Sequence, residues 1–580
     1  MKGTPAIAGK VHRIKARVPR APANRVMLMA TSFGVLAAAT WPGLNGDGML
    51  VGISGLSAVM SLAAAGRAWK TLRRDFQLRH GVAVSEQASA DHGSARQSTR
   101  EERAARGMDT QEHGGLLGLD DEGHPVWRPK NGFLCLVEMP PGIGKTSNLV
   151  IGSILHYAML GHSVWVPDVK DELAVMLVPH LRKLGFEVWC LNAAGEHQAI
   201  VGDTEVNLYG PFLDALYGTR KQRRKAIKLA TDYAALHHPM TGNEPQPYFG
   251  HGARRAIMFA ICAVGITDPA NCIPTRVYEL LTDPVQFLKL CRRMQKFQTM
   301  DKDDLVLDVV KREARNLMYR AAKNEENFAS FLEGASQKLI SFNSSGMFGN
   351  YGASTIHALS DIRERQIVIL VITPLAEMRE AADFISLANH DLVAAVKAKP
   401  DGHPVHIVGE EALNYRFSDL TSNLETLRQL RVTIDLYIQS FNGLAIHYGK
   451  EAAAAIEAYA DIRVYAGLTY GRAKHVSEML SDRTISRQDI SFSATVKELG
   501  IASREMARPM MKPNEVGAMQ RNQAWVFVAG LHPTHVTMLS YAQAWPWNIW
   551  VDPSPITGTR LHAETVLTIT YGSKGAPDAR

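Results

Sequence analysis

A glycine-containing loop between a short apolar run and a helix-forming segment constrains this chain more than any other feature. Residues 133–138 form a β-prone apolar run, residues 139–146 contain two glycines and end in Lys-Thr, and the residues from Asn148 onward have helical character. A strand, a turn of this kind and a helix, in this order, make a phosphate loop. A chance Gly-Lys-Thr in a surface loop would not explain these flanks. The order therefore predicts an α/β fold that binds a nucleotide.

Each part of this loop has a physical role. Gly142 and Gly144 let the backbone approach an anion closely, and the following helix presents its positive end to the phosphates. In such a loop Lys145 reaches the β- and γ-phosphates and Thr146 ligates Mg²⁺. ATP and Mg²⁺ are therefore the expected cofactors. The candidate nucleotide-binding residues are Pro141, Gly142, Ile143, Gly144, Lys145, Thr146 and Ser147.

A phosphate-loop ATPase also needs acidic residues on a neighbouring strand. Residues 405–409 form a hydrophobic run that ends in Glu410 and Glu411. We expect one carboxylate to hold Mg²⁺ and the other to orient the attacking water. With Thr146, Glu410 is the candidate metal ligand. The alternative is a solvent-facing acidic loop after a strand.

The next predicted strand, residues 432–438, adds further candidate catalytic residues. Gln439 follows it, at the edge where parallel sheets present polar residues to ligands, and is the candidate sensor of the γ-phosphate. Arg428, or alternatively Arg431, is the candidate arginine finger for a neighbouring subunit. Either arginine is equally well explained as an ordinary surface charge.

Two uncharged runs lie near the N-terminus, 21 residues between Arg25 and Asp47 and 19 residues between Asp47 and Arg67. A bilayer core needs about 20 apolar residues in a helix, so the runs predict a transmembrane hairpin. Basic residues flank both outer ends, which places both termini in the cytoplasm by the positive-inside rule. A cleaved signal peptide and a buried hydrophobic hairpin are the alternatives.

The net charge of +7 has a local origin. Residues 1–25 contain seven basic residues and no acidic residue, so the rest of the chain is electrically balanced. This excludes a uniformly basic protein that coats nucleic acid. The five cysteines have no zinc-site spacing and are expected to be reduced thiols. Local basic clusters, such as residues 220–228, remain candidates for contact with nucleic-acid phosphates or are simply a solvated helix face.

Apolar runs at residues 133–138, 163–167, 186–191, 366–373, 405–409 and 432–438 alternate with helical segments and predict a parallel sheet. Residues 215–345 interrupt this order with helix-like sequence. We expect five parts: a basic tail and two transmembrane helices (1–75), a polar linker (76–125), a nucleotide-binding α/β domain (126–214 and 346–555), an inserted all-α domain (215–345) and a C-terminal tail (556–580) with little signal of its own.

Read in order, several segments resemble the coupling-protein ATPases of type IV secretion, the TraG/TraD-like conjugative DNA-transfer family. The resemblance runs from the predicted hairpin to about residue 545. In residues 166–173, Val169 and Asp171 replace the family's usual Pro and Gly, and Met139 replaces the first glycine of the phosphate loop. The matching segments are 92–96, 140–146, 166–173, 207–214, 410–411, 439–440, 473–480 and 508–516.

The resemblance implies a RecA-like ATPase with an inserted all-α domain, anchored in the bacterial inner membrane by two helices. It implies a homo-hexamer at the cytoplasmic mouth of a secretion channel, in contact with inner-membrane subunits of the type IV system. Such a protein recruits a single-stranded DNA–relaxase complex, or protein effectors, and drives export with ATP. The sequence leaves open the cargo, the polarity of movement and the effect of Met139 and Glu410 on hydrolysis. Two other functions stay open: a DNA translocase of the FtsK/HerA type and a nucleotide-gated docking platform with little turnover.

Overall fold

The computed structural model describes residues 93–240, 246–298, 304–353, 355, 357–415, 417, 420–493 and 498–572. The described residues form two compact units, one within residues 96–480 and 511–572 and the other within residues 93–95, 481–493 and 498–510. The predicted transmembrane hairpin within residues 1–75 lies outside the described residues. None of the helices in the described ranges is both long and apolar enough to cross a bilayer.

The larger unit is built on an eleven-stranded sheet, in the order β2-β1-β13-β12-β9-β3-β8-β7-β4-β6-β5. The smaller unit contains the antiparallel pair β10 and β11. The strands are β1 (Leu116–Leu119), β2 (Pro125–Trp127), β3 (Leu134–Glu138), β4 (Ser163–Asp168), β5 (Val188–Leu191), β6 (Val368–Ile372), β7 (Val405–Gly409), β8 (Val432–Ile438), β9 (Ile462–Tyr465), β10 (Asp482–Ser493), β11 (Glu498–Pro509), β12 (Gln523–Val528), β13 (Thr534–Thr537), β14 (Ala544–Trp545) and β15 (Leu567–Thr568).

The strands from β9 to β5 in this order run parallel to one another. All six strands predicted from apolar runs lie in this parallel part, so the prediction of a parallel α/β sheet is confirmed. Parallel strands are covered by helices on both faces and therefore read as continuous apolar sequence. Strand β6, for example, is buried at every position.

Helices fill the connections of the larger unit. The described residues between β5 and β6 are helical over most of their length from Gly210 to Lys338 and contain no strand, where the sequence predicted an all-α insertion over 215–345. The helices are α1 (Arg100–Ala104), α2 (Ile151–Met159), α3 (Glu172–Lys183), α4 (Gln198–Val201), α5 (Gly210–Tyr217), α6 (Arg220–His237), α7 (Pro247–Thr267), α8 (Pro274–Thr282), α9 (Pro284–Lys296), α10 (Leu305–Lys323), α11 (Glu325–Lys338), α12 (Met378–Ala398), α13 (Leu420–Leu427), α14 (Phe441–Tyr448), α15 (Lys450–Tyr459), α16 (Tyr470–Leu480) and α17 (Pro513–Gly517).

The structure corrects two expectations on either side of the predicted nucleotide-binding domain. Residues 93–125, predicted to be linker, contain α1 and β1, and β1 pairs with β13. The tail after residue 555 is part of the fold as well, because β15 pairs with β14 and Ile569 is buried. In both places a short apolar segment becomes buried only by pairing with residues far away in the chain.

A buried ion pair lies beneath the centre of the sheet. Asp435 on β8 pairs with Arg128, and both side chains are almost fully buried. Arg128 also donates to the carbonyls of Phe133 and Ile434, at 2.7 and 3.1 Å. Ser153 on α2 donates to the second oxygen of Asp435 at 2.8 Å. The carboxylate therefore ties β8 to the segment before β3 and to α2.

We predict that Asp435→Asn strongly destabilises the larger unit. A buried charge that loses its partner costs about 3–5 kcal/mol, so the thermal unfolding midpoint of the purified protein should fall by several degrees. The matched control is Glu187→Gln, which breaks the exposed pair with Arg365 and should cost less than about 1 kcal/mol. Equal shifts for the two variants would contradict the assigned importance of the buried pair.

Candidate functional site

Strand order brings the predicted site residues together at one edge of the sheet. Strand β8 lies between β3 and β7, and all three are parallel. Their carboxyl ends therefore meet at the same edge, where parallel sheets place their ligands. The phosphate loop follows β3, Glu410 and Glu411 follow β7, and Gln439 follows β8.

The loop after β3 has the backbone geometry that anion binding requires. Gly142 and Gly144 have φ of +79° and +87°, a left-handed region that other residues rarely adopt. A Cβ on Gly142 would meet no atom within 4 Å, so the loop is open on that side. Met139 is fully buried, and its N–H donates to the carbonyl of Ile438 at 3.0 Å. At this position the chain still continues the β3–β8 ladder, which explains how a core methionine fits where relatives have glycine.

The two glutamates make different contacts with the phosphate loop. The Thr146 hydroxyl donates to Glu410 Oε1 at 2.6 Å. The Lys145 ammonium donates to Glu411 Oε1 at 3.1 Å. Both carboxylates are buried, with 3% and 5% of their residue surface exposed. The predicted division into one metal-side and one water-side carboxylate thus matches two separate contacts.

Glu411 has two further partners from neighbouring strands. Gln439 Nε2 donates to Glu411 Oε2 at 2.7 Å, and Lys170 Nζ donates to Oε1 at 2.7 Å. Glu411 itself has a φ of +50°, which is uncommon for a residue with a side chain. Lys170 lies in the segment 166–173 that the resemblance singled out, but the sequence assigned it no role. The signal was present only as a lysine two residues after a strand-ending aspartate.

The electrostatics of the two glutamates differ. Burial raises the pKa of Glu411, but Lys145, Lys170 and Gln439 outweigh it and lower that pKa to about 2. Burial raises the pKa of Glu410, and the Thr146 hydrogen bond opposes this only in part. Glu411 is therefore held as a carboxylate, whereas the charged form of the buried Glu410 needs a nearby cation to be stable.

Asp168, at the carboxyl end of β4, is a third buried acid near this edge. Its Oδ2 accepts a hydrogen bond of 2.7 Å from the Ala174 N–H, and its Oδ1 has no hydrogen-bond partner among the described residues. The pKa of Asp168 is raised to about 7, chiefly by burial; the Ala174 N–H opposes this rise, and the charge of Glu410 adds to it. The hydrogen bond to Ala174 fixes the start of α3 and, with it, the loop that carries Lys170.

The structure does not bring Arg428 or Arg431 to this edge. Arg428 Nη2 donates to Asp461 Oδ1 at 2.6 Å, and the other oxygen of Asp461 accepts from the N–H groups of Phe133 and Leu134, where β3 begins. Arg431 directly precedes β8. Both arginines lie at the amino edge of the sheet and take no part in the site of their own subunit.

The residues present fit a nucleotide with Mg²⁺. Thr146 and Glu410 offer the hydroxyl and carboxylate oxygens that Mg²⁺ prefers. The two left-handed glycines turn loop N–H groups toward a phosphate site. Of the remaining predicted loop residues, Pro141 and Ile143 lie in the same turn, and Ser147 lies in the first turn of the following helix, where its hydroxyl donates to the Gly144 carbonyl at 3.1 Å.

Comparison with solved structures finds similar folds. The bacterial conjugative coupling protein TrwBdeltaN70, in its unbound monoclinic form, gives a TM-score of 0.54 at 12% identity and covers 78% of this chain and 97% of that chain. The plasmid coupling protein TrwB in complex with ADP and Mg²⁺ gives 0.52 at 11%, covering 79% and 97%. The same protein with the non-hydrolysable GTP analogue GDPNP gives 0.52 at 11%, covering 78% and 97%.

Comparison with curated proteins finds no match. The family model described as type IV secretory system conjugative DNA transfer matches residues 87–544. The match covers most of the chain and confirms the resemblance that the sequence motifs indicated. The chain therefore belongs to the type IV secretory system conjugative DNA transfer family, as a coupling protein.

Proposed function

We propose that this protein hydrolyses ATP with Mg²⁺ and uses the energy to move single-stranded DNA with its bound relaxase into a type IV secretion channel. The observation that carries the proposal is the pair of contacts from the phosphate loop to the two glutamates, Thr146 to Glu410 and Lys145 to Glu411. Family membership supports DNA as the cargo. Nucleotide complexes of TrwB, which shares the fold, support the cofactors.

The residues divide the work of hydrolysis. Lys145 binds phosphate oxygens, and Thr146 and Glu410 hold the metal. Glu411 orients the attacking water and accepts its proton, while Gln439 fixes the second oxygen of that carboxylate. When bound, Mg²⁺ neutralises charge on the phosphates. Because Glu411 is held as a carboxylate, it is in the correct state to act as a base at neutral pH.

We expect Lys145→Ala to lower the ATPase rate at least about 100-fold, since a positioned charge on the phosphates is lost. Conjugative transfer should fall with it, whereas protein abundance should not. The control is Lys183→Ala, which removes an exposed lysine from α3. A Lys145→Ala protein that still supports normal transfer would refute the motor. Wild-type protein that binds ATP without hydrolysing it would favour the docking platform instead.

We further propose a ring of six copies in the bacterial inner membrane, anchored by the two uncharged runs, with both termini in the cytoplasm. The supporting features are the runs themselves, their basic flanks and the position of Arg428. Its side chain is half exposed at the amino edge, where it is available to a neighbouring subunit rather than to its own site. Arg428 is accordingly the proposed arginine finger, with Arg431 as the alternative.

Mixing two inactive variants tests the shared site. Lys145→Ala subunits keep a functional Arg428, and Arg428→Ala subunits keep a functional phosphate loop. If the arginine acts across the interface, a random 1:1 ring contains complete sites at about one quarter of its interfaces. ATPase activity should therefore reappear when the two variants are mixed. A steady-state ATPase assay after subunit exchange measures this recovery. No recovery, or residual activity of Arg428→Ala alone equal to wild type, would contradict the finger.

The all-α segment offers a surface for the DNA strand. On α10, the exposed residues Arg312, Arg315, Tyr319 and Lys323 follow one another at helical spacing, and Lys323 Nζ lies 5.9 Å from the centre of the Tyr319 ring. Cations that track phosphates, with an aromatic ring for base stacking, are the elements of sequence-tolerant strand binding. On the basic helix α6, by contrast, Arg223 and Lys228 are paired with Asp304 and Asp232.

We predict that replacing Arg312, Arg315 and Lys323 together by Ala weakens single-stranded DNA binding and reduces its salt dependence. Each lost phosphate contact lowers the salt slope by about 0.7 for a single strand. The matched control replaces Lys221, Arg224 and Lys225, which are exposed on α6. Fluorescence anisotropy with a labelled oligonucleotide at several salt concentrations measures the affinity of each variant and its salt dependence. A larger effect from the α6 variant would indicate that α6, and not α10, provides the DNA-binding surface.

A further inference from the structure

Lys170 lies at the edge of the sheet where the carboxyl ends of the parallel strands meet. It belongs neither to the phosphate loop nor to the pair Glu410 and Glu411. It follows β4, and β4 pairs directly with β7, the strand that leads to Glu410 and Glu411. Its ammonium is 2.7 Å from Glu411 Oε1, closer than that of Lys145, which contacts the same oxygen at 3.1 Å. Two ammonium groups from different loops thus converge on one carboxylate oxygen.

We propose that Lys170 is a positioning residue for Glu411, which keeps the carboxylate correctly aimed while Lys145 binds phosphate. The inference rests on the proposed ATPase function and adds a residue to its machinery. Gln439 holds Oε2 and Lys170 holds Oε1, so each oxygen has a partner from outside the phosphate loop.

The need for a second cation follows from burial. Glu411 is 5% exposed, and a buried carboxylate without a compensating charge is costly. Lys145 has phosphate oxygens as its main partners when nucleotide is bound. Gln439 donates a hydrogen bond but carries no charge. Among the described residues, Lys170 is the remaining cation in contact with this carboxylate, so it supplies the compensation that Lys145 gives up.

The loop that carries Lys170 is fixed at both ends. Before it, the Asp168 carbonyl accepts from the Thr373 N–H at 3.2 Å, and Asp168 Oδ2 accepts from the Ala174 N–H at 2.7 Å. After it, Ser554 donates to Glu172 at 2.6 Å. The Lys170 side chain itself is 32% exposed. A rigid backbone with a partly solvated ammonium suits a residue that holds another group in place.

The test uses the full-length protein and the substitutions Lys170→Met and Lys170→Arg, with Lys183→Met as the exposed control. Because misplacement of a reacting group by about 1 Å costs up to about 100-fold, we expect Lys170→Met to lower kcat about 10- to 100-fold. KM for ATP and Kd for a fluorescent ATP analogue should stay within about twofold of wild type. Lys170→Arg, which keeps the charge, should recover most of the rate.

A measurement without nucleotide separates positioning from a general structural role. Lys170→Met should lower the thermal unfolding midpoint of the wild-type protein. In a Glu411→Gln background, where the carboxylate shared by Lys145 and Lys170 is gone, the same change should leave the midpoint unchanged or raise it. Equal decreases in both backgrounds would overturn the assigned contact.

The outcomes distinguish this inference from the proposed function. If wild-type protein does not hydrolyse ATP, the proposed function fails and the unfolding measurement still decides the Lys170–Glu411 contact. If wild-type protein is active and Lys170→Met resembles Lys183→Met, the positioning role is wrong. If Lys170→Met weakens nucleotide binding about tenfold with kcat intact, Lys170 binds phosphate instead, which also overturns the proposal.

Discussion

The arrangement of the site depends on the buried contacts that the Asp435 carboxylate makes. It lies on β8, between the strand of the phosphate loop and the strand of the two glutamates, and contacts Arg128, Ser153 on α2 and His406 on β7. Burial raises the pKa of Asp435, but Arg128 and His406 hold it well below its usual range. Helix α2, which follows the phosphate loop, and strand β7, which precedes Glu410 and Glu411, thus both contact one buried carboxylate.

At the edge above this charge, two adjacent glutamates with nearly equal burial have opposite electrostatic roles. The one that contacts a hydroxyl has a raised pKa, and the one that contacts two ammonium groups has a lowered pKa. Environment, rather than residue type, decides which carboxylate suits a metal and which suits a water.

Much of the site was predictable because its parts are local in sequence. Strands β7 and β8 begin and end at the predicted residues, since strands buried on both faces read as unbroken apolar runs. Lys170 was not assigned, because no sequence pattern names a partner for a lysine at this place and only the fold brings its ammonium to Glu411. Strand β1 and residues 567–571 were missed for the same reason, as their apolar side chains become buried only against distant parts of the chain. The sequence offered Arg428 or Arg431 to a neighbouring subunit, and strand direction puts both at the amino edge of the sheet, away from the phosphate loop.

The packing of α2 has a consequence for biosynthesis. His156 on this helix accepts or donates a hydrogen bond of 2.9 Å with Tyr571, and Gln111 contacts the Thr570 carbonyl. These partners are 415 and 459 residues apart in the chain. The phosphate loop and α2 are therefore synthesised hundreds of residues before these C-terminal partners. Until the partners are made, this side of α2 is incompletely packed. The order of translation therefore sets when this part of the larger unit can complete its packing.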